Sequence, residues 1–174
     1  MSNLDPIVRS VAADEVTSAA AKAIYDKFIS SGKNVPKWMK VMANNEDIMV
    51  GFFTMFKATM DDAPLPSVLK WKVADEVSRL NKCEFCIDVT QSQLRQFGLD
   101  DEALSKINEM ADEREKAALA FARAVTEKAY EIDPQIVEEA KKHFSDEELV
   151  ELTAAIGLFN YINRFNDALG VFPD

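Results

Sequence analysis

The sequence predicts an all-α protein with a single helical domain. Apolar residues recur at helical spacing along most of the chain, and no segment alternates apolar and polar residues over the length of a strand. Glycine and proline are rare, with five and six copies among 174 residues, and breaks such as Gly32, residues 61–66 and Gly98 separate the periodic segments. We therefore expect about eight helices and no sheet, in one domain that spans residues 1–174.

An N-terminal helical layer is predicted over residues 1–60, beginning with an irregular lead-in of 13 residues. Each of its helices starts at a residue suited to a helix N-terminus and ends before a break in the pattern. Its predicted helices occupy 14–30, 36–42 and 46–60, and their expected starting residues are Asp14, Pro36, and Asn44 or Asn45. Methionine and phenylalanine are frequent from Trp38 to Met60, which favours a packed core and leaves an adaptable apolar pocket as the alternative.

A second layer, which we call the redox core, is predicted over residues 66–172. Residues 61–66, DDAPLP, precede it as a linker, since two prolines in three residues do not continue a helix. The helices expected here occupy 67–80, 84–97, 100–110, 113–130, 135–142 and a last segment from the Ser145 cap to Gly170. The last helix is apolar nearly all round, so we expect it to be central and buried.

The charge of the chain limits its partners. The formal net charge is −10 and no cluster of Lys and Arg stands out, which argues against binding of nucleic acid or anionic membranes. The first ten residues do not show the basic segment followed by an apolar segment that a secretion signal has. Polar residues interrupt the last predicted helix, which is the most apolar one. We predict a cytoplasmic protein.

The residues with the clearest chemistry are Cys83 and Cys86, a C-x-x-C motif at the predicted start of a helix. Their spacing allows a disulfide without much unwinding of the backbone. The helix N-terminus and Lys82 favour a thiolate, whereas Glu84 and Asp88 disfavour it. In a cytoplasmic protein such a pair indicates redox or metal chemistry more than a structural staple.

Thr90 lies four residues after Cys86, on the same face of the predicted helix. Its hydroxyl is suited to donating a hydrogen bond to a thiolate or a peroxide, or else to packing as an ordinary helix threonine. A zinc site lacks ligands, because the chain has no third cysteine and its only histidine is His143. His143 ends a helix, where a solvated histidine is the common case. We therefore predict no metal and no cofactor.

Two runs of sequence resemble the alkylhydroperoxidase D-like/carboxymuconolactone decarboxylase-like superfamily. They are SRLNKCEFCIDVTQSQLRQFGL, at 78–99, and DEELVELTAAIGLFNYINRFNDALGV, at 146–171. With the helix order, the resemblance covers about residues 36–172. It implies an all-α fold, a homotrimer or homohexamer, and a peroxidase in which Cys86 attacks the peroxide and Cys83 resolves the product. It also implies a protein thiol reductant, such as a lipoyl or thioredoxin-like protein.

The sequence departs from this family at two positions that form its proton relay. The family places a histidine at the position of Thr90 and a glutamate at the position of Trp71. Glu76, one turn or so further along the same helix, is the candidate to replace that glutamate. Loss of a general base typically costs about 10²–10⁴-fold in rate, so we expect a slow peroxidase with Cys86, Cys83, Thr90 and Glu76 as its site residues.

Two other functions remain open from the sequence. The first is a degenerate member that binds a small apolar ligand or a partner protein, with the cysteines as a redox sensor or as packed thiols. Alternatively, it acts on a carbonyl or lactone substrate, with polar contacts from Arg79, Asn160, Asn163 and Arg164. For Arg164 a structural ion pair is the more ordinary expectation.

Overall fold

Ten α-helices and no strand make up residues 7–172, the part of the chain that the computed structural model describes. They are α1 (Ala19–Ser30), α2 (Lys37–Met42), α3 (Glu46–Met60), α4 (Ser67–Asn81), α5 (Glu84–Gln96), α6 (Asp101–Ser105), α7 (Ile107–Met110), α8 (Glu113–Lys128), α9 (Pro134–His143) and α10 (Asp146–Leu169). The predicted all-α class is confirmed, but about eight helices was too low. One reason is Lys106, whose backbone (φ −118°, ψ 21°) leaves helical geometry and separates α6 from α7.

Local capping explains most of the helix starts. The side chains of Asn45, Asp100 and Asp133 accept backbone N–H groups at the starts of their helices, and Asn45 is one of the two residues expected to start α3. Ser145 and Glu148 form the predicted capping box: the Ser145 N–H donates to Glu148 and the Glu148 N–H donates to the Ser145 hydroxyl.

The start of α1 differs from the prediction. Ser18, not Asp14, is its N-cap, and the Ser18 hydroxyl accepts the N–H of Ala21 at 3.1 Å. The cause lies in another helix, because the Glu46 carboxylate accepts the backbone N–H groups of Thr17 and Ser18 at 2.7 and 2.6 Å. Sequence around residue 14 does not reveal this contact.

Because of Glu46, the free energy of unfolding is expected to fall as the pH is lowered into the acid range. The two backbone N–H groups lower the pKa of Glu46 from 4.5 to about 2. Because the folded-state pKa lies below the unfolded one, this stabilisation is present above about pH 4.5 and is lost as the pH falls towards 2. Urea unfolding should therefore show a steeper loss of stability over this range in the wild type than in Glu46→Gln.

The matched control for this prediction is Asp47→Asn. Asp47 lies in the same first turn of α3 and is exposed, so it shares the helix-dipole effect without the two backbone hydrogen bonds. We expect the control to keep most of the wild-type pH dependence. Identical pH dependence in the wild type and Glu46→Gln would contradict the prediction.

The described residues form two compact units. The first comprises residues 7–58 and 166–172. Its methionine- and phenylalanine-rich segment packs as core: Met39 and Met49 are fully buried, and the Trp38 ring meets the Phe52 ring edge-on at 5.2 Å. Met55, by contrast, is half exposed.

The second unit comprises residues 59–165 and holds both cysteines. Within it, α4 packs against α5 and α8, and α8 packs against α9. Its largest fully buried apolar side chains are Leu65, Leu94, Leu119, Leu152, Ile156 and Leu158. The predicted all-round burial of α10 was wrong for this chain alone, since Val150 and Tyr161 are 71% and 46% exposed.

A buried ion pair ties residues 61–66 to α4 and α10. Lys70 is completely buried, and its Nζ contacts the Glu151 carboxylate and donates to the Asp61 carbonyl at 2.6 Å. The second Glu151 oxygen accepts the N–H of Leu65 at 3.0 Å. The segment that the sequence presents as a linker is therefore anchored by charge and by backbone hydrogen bonds.

None of the helices within residues 7–172 combines the length and apolar character needed to cross a bilayer.

Candidate functional site

The two cysteines lie at the turn between α4 and α5. The α4 helix ends at Lys82, which adopts the left-handed conformation (φ 58°, ψ 31°) that non-glycine residues rarely occupy. This turn lets the Cys83 N–H donate to the Ser78 carbonyl at 3.1 Å and makes Cys83 the N-cap of α5. Cys86 follows within the first turn of α5, as the sequence predicts.

Cys83 and Cys86 form a disulfide. Their Cα atoms are 5.3 Å apart, within the range that disulfides ordinarily span. Both residues are buried, with 0% and 3% of their surface exposed. A reactant would therefore have to reach the disulfide through a largely closed environment.

Thr90 lies next to a carboxylate that the sequence analysis did not select. The Thr90 hydroxyl is buried and lies 2.8 Å from Asp75 Oδ1 and 2.9 Å from the Ile87 carbonyl, both acceptors. Asp75 lies on α4, is only 2% exposed, and accepts Arg79 Nε at 2.6 Å on its other oxygen. The sequence does carry a signal for Asp75. It lies among the apolar residues Val73, Ala74 and Val77, four residues before an arginine.

Glu76 has partners other than the cysteines. Its carboxylate accepts Arg123 Nε of α8 at 2.8 Å and Asn108 Nδ2 at 3.2 Å. Trp71 occupies the second position at which the sequence departs from the family it resembles. Its ring is 7% exposed and meets the Phe159 ring edge-on at 5.7 Å, so aromatic packing fills that place.

A network of amides braces the turn that carries Cys83. Asn81 Nδ2 donates to Asn163 Oδ1 at 2.9 Å and to Asn160 Oδ1 at 3.1 Å, and buried Asn163 donates to the Ser78 hydroxyl at 3.1 Å. Arg164 is exposed and donates to the Asn160 side chain and carbonyl at 2.6 and 2.9 Å, not to a carboxylate. This part of α10 therefore supports the backbone near the disulfide.

His143 pairs with a residue of its own helix. Its Nε2 lies 3.2 Å from Glu139 Oε1, one turn earlier on α9. Among residues 7–172, no group of three His, Cys, Asp or Glu side chains is arranged to hold a metal ion.

A cavity of about 520 Å³ lies within the first unit. The residues that line it are distant in sequence from both cysteines. Its walls come from residues 10–13, 25–35 and Lys40, so the methionine- and phenylalanine-rich segment contributes little to it. The side chains and backbone that line it are those of Ser10, Val11, Ala12, Ala13, Tyr25, Ile29, Gly32, Lys33, Asn34, Val35 and Lys40.

Comparison with known sequences shows a partial relative. No protein-family model matches the chain. The uncharacterized Escherichia coli protein YnjA is 30% identical over 114 residues, which are 63% of this chain and 63% of that protein. The match thus spans less than two thirds of the relative's length.

Solved structures resemble this one over nearly its whole length. A peroxidase-related protein from Silicibacter superposes with a TM-score of 0.85 at 22% identity, over 98% of this chain and 93% of that chain. A peroxidase-related protein with an alkylhydroperoxidase AhpD core, from Ralstonia eutropha, also gives 0.85 at 22% identity, over 98% and 94%. The debrominase Bmp8, in complex with 2,3,4-tribromopyrrole, gives 0.79 at 21% identity, over 95% and 90%.

Proposed function

We propose that this chain, which has the fold of the alkylhydroperoxidase D-like proteins, is a peroxidase that works through the Cys83–Cys86 dithiol–disulfide couple. The observation that carries the proposal is the disulfide itself, at the N-terminus of α5. A helix N-terminus stabilises a thiolate, and the thiolate is the species that attacks a peroxide.

The proposed reaction has three steps. The Cys86 thiolate attacks one peroxide oxygen, the O–O bond breaks, and an alcohol or water leaves after protonation, so that Cys86 becomes a sulfenic acid. The Cys83 thiol then attacks the Cys86 sulfur and displaces water, which forms the disulfide. A dithiol reductant protein returns the pair to the reduced state and is itself oxidised. The assignment of Cys86 as the attacking thiol follows the resemblance and its position one turn before Thr90.

The peroxidase is expected to be slow. Trp71 and Thr90 stand where the resembled family has the glutamate and histidine of its relay, and Glu76 is engaged by Arg123. Cysteine tolerates loss of a base better than serine does, because part of it is thiolate at neutral pH. Reduced activity, not inactivity, is therefore the expectation.

The direct test is oxidation of the fully reduced protein by hydrogen peroxide and by an alkyl hydroperoxide. We expect second-order loss of thiol clearly faster than that of free cysteine under the same conditions, ending in a Cys83–Cys86 disulfide located by peptide mass spectrometry. The Cys83→Ser/Cys86→Ser double variant is the control for unspecific oxidation. Loss of thiol no faster than in free cysteine would overturn the proposal.

A second candidate reaction is reductive dehalogenation at the same couple. It is favoured by the likeness to Bmp8, a debrominase whose structure holds 2,3,4-tribromopyrrole. A proton from water adds to the brominated ring carbon, one thiolate takes the bromine as the C–Br bond breaks, and the second thiolate displaces bromide to form the disulfide. Two electrons pass from sulfur to carbon. Stoichiometric bromide release from 2,3,4-tribromopyrrole by the reduced protein, without peroxide activity, would favour this reaction.

The alternative of ligand binding or redox sensing concerns a different property. The cavity lined by residues 10–40 offers room for a small molecule, and its size lies within the range of ligand sites. Two native thiols that resist both peroxide and maleimide would favour this alternative.

The partners and location are further parts of the proposal. We propose a cytoplasmic homotrimer or homohexamer that uses a thiol reductant protein. Val150 and Tyr161, exposed on α10, supply apolar surface suited to contact with a second copy. A monomer mass by light scattering would contradict the oligomer.

A further inference from the structure

Asp75 is a buried carboxylate that the proposed reaction does not yet use. Burying a carboxylate is costly unless hydrogen bonds and an opposite charge compensate for the lost hydration. Its two oxygens have different partners: Arg79 donates to Oδ2 at 2.6 Å, and Oδ1 lies 2.8 Å from the Thr90 hydroxyl. The ion pair with Arg79 would form without the hydrogen bond to Thr90. That hydrogen bond connects α4 to α5, the helix that carries Cys86.

The hydroxyl of Thr90 has one hydrogen and two acceptors beside it. Because Asp75 Oδ1 and the Ile87 carbonyl both accept, the lone pairs of the Thr90 oxygen are left for a donor. Cys86 lies four residues earlier on the same side of α5 and is buried like Thr90. In the dithiol state, a Cys86 S–H is a donor of the kind that these lone pairs accept.

We propose that Asp75 is a positioning residue that accepts the Cys86 proton through Thr90. The Cys86 S–H gives its proton to the Thr90 oxygen while Thr90 gives its own to Asp75 Oδ1. A thiolate, a neutral threonine and a carboxylic acid result, with no net change in charge. After the O–O bond breaks, the same path returns the proton to the leaving oxygen, which becomes water or an alcohol. This inference rests on the proposed peroxidase function and names the group that would take the Cys86 proton.

Other charged groups on the packed helices are engaged elsewhere or exposed. On α4 and α8, Glu76 pairs with Arg123, and Lys72 pairs with Glu115. On α5, Glu84 and Asp88 are exposed. Three further charged side chains lie near the site. Arg79 on α4 is 44% exposed, Lys82 is exposed at the turn, and Arg164 is exposed on α10. Asp75 is the carboxylate with a direct hydrogen bond to Thr90 within residues 7–172.

The test is the pH profile of peroxide oxidation in the fully reduced protein. With an internal base, the second-order rate constant should stay nearly level on the acidic side of the thiol pKa, because transfer of the proton inside the protein does not depend on pH. Without it, the rate follows the thiolate fraction and falls about tenfold per pH unit. Asp75→Asn and Thr90→Val are therefore expected to lose the level region, with a loss of about 10²-fold near pH 6. Thr90→Ser keeps the hydroxyl and should restore it.

Asp88→Asn provides the electrostatic control. It removes one negative charge at an exposed position two residues from Cys86, so it can shift the rate but should keep the level region of the profile. Circular dichroism is the check that each variant folds. Should Asp75→Asn fail to fold, the contrast between Thr90→Val and Thr90→Ser decides the inference.

Failure of this inference is distinguishable from failure of the proposed function. Fast peroxide oxidation with the same pH profile in the wild type and Asp75→Asn overturns the inference and leaves the peroxidase intact. If peroxide reacts no faster than with free cysteine, the same profile is measured by iodoacetamide alkylation, with the Cys86 adduct located by mass spectrometry. A level region that depends on Asp75 and Thr90 then supports the relay, and identical profiles overturn it.

Discussion

Replacing Cys86 with serine is expected to lower peroxide turnover by about 10³-fold or more. Serine is too weakly acidic to supply an alkoxide at neutral pH, and Cys83 remains at the N-cap of α5, buried and without a second thiol. Peroxide consumption with dithiothreitol as the reductant measures the loss.

Cys83→Ser should give a different phenotype, which makes the pair of variants informative. The first peroxide equivalent still converts Cys86 to a sulfenic acid, but no neighbouring thiol condenses with it. Dimedone should therefore label Cys86, as seen by peptide mass spectrometry, and the double variant should show no label. A dimedone adduct on Cys83 in the Cys86→Ser variant, with turnover retained, would reverse the two roles.

Features set by neighbouring residues could be predicted from the sequence. The caps at Asn45, Asp100 and Asp133 and the Ser145–Glu148 box each depend on side chains within three residues of the helix start. The placement of Cys83 at the start of α5 depends in the same way on the end of α4 just before it.

Features set by packing between helices could not be predicted in this way. Asp75 and Glu76 are adjacent on α4, about 100° apart around the helix axis. Periodicity does not say which of them meets α5, and the structure joins Asp75 to Thr90 and Glu76 to Arg123. The shift of the α1 cap to Ser18 has the same origin, since Glu46 lies 28 residues away.

The exposed face of α10 shows a related limit. Its sequence is apolar nearly all round, yet Val150 and Tyr161 are exposed while Leu152 and Ile156 are fully buried. Composition gives the number of apolar side chains but not which neighbours cover them. If the proposed oligomer forms, a second copy would supply cover that one chain does not.

Lys70→Met is expected to lower the free energy of unfolding by about 3–5 kcal/mol. The Lys70 side chain is completely buried, and the substitution leaves the Glu151 carboxylate, 10% exposed, without its cation. It also removes the donor to the Asp61 carbonyl, so the anchor of residues 61–66 is weakened. Urea unfolding followed by circular dichroism measures the change.

Two further variants separate the buried charge from other effects of the substitution. Lys72→Met removes a lysine two residues away on α4 whose ion pair with Glu115 is only partly buried, at 17% and 21% exposure, so we expect a loss below about 1 kcal/mol. Adding Glu151→Gln to Lys70→Met removes the uncompensated charge and keeps an acceptor for the Leu65 N–H, so a large part of the stability should return. Equal losses in Lys70→Met and Lys72→Met, or no recovery in the double variant, would show that the buried charge is not what makes Lys70 necessary.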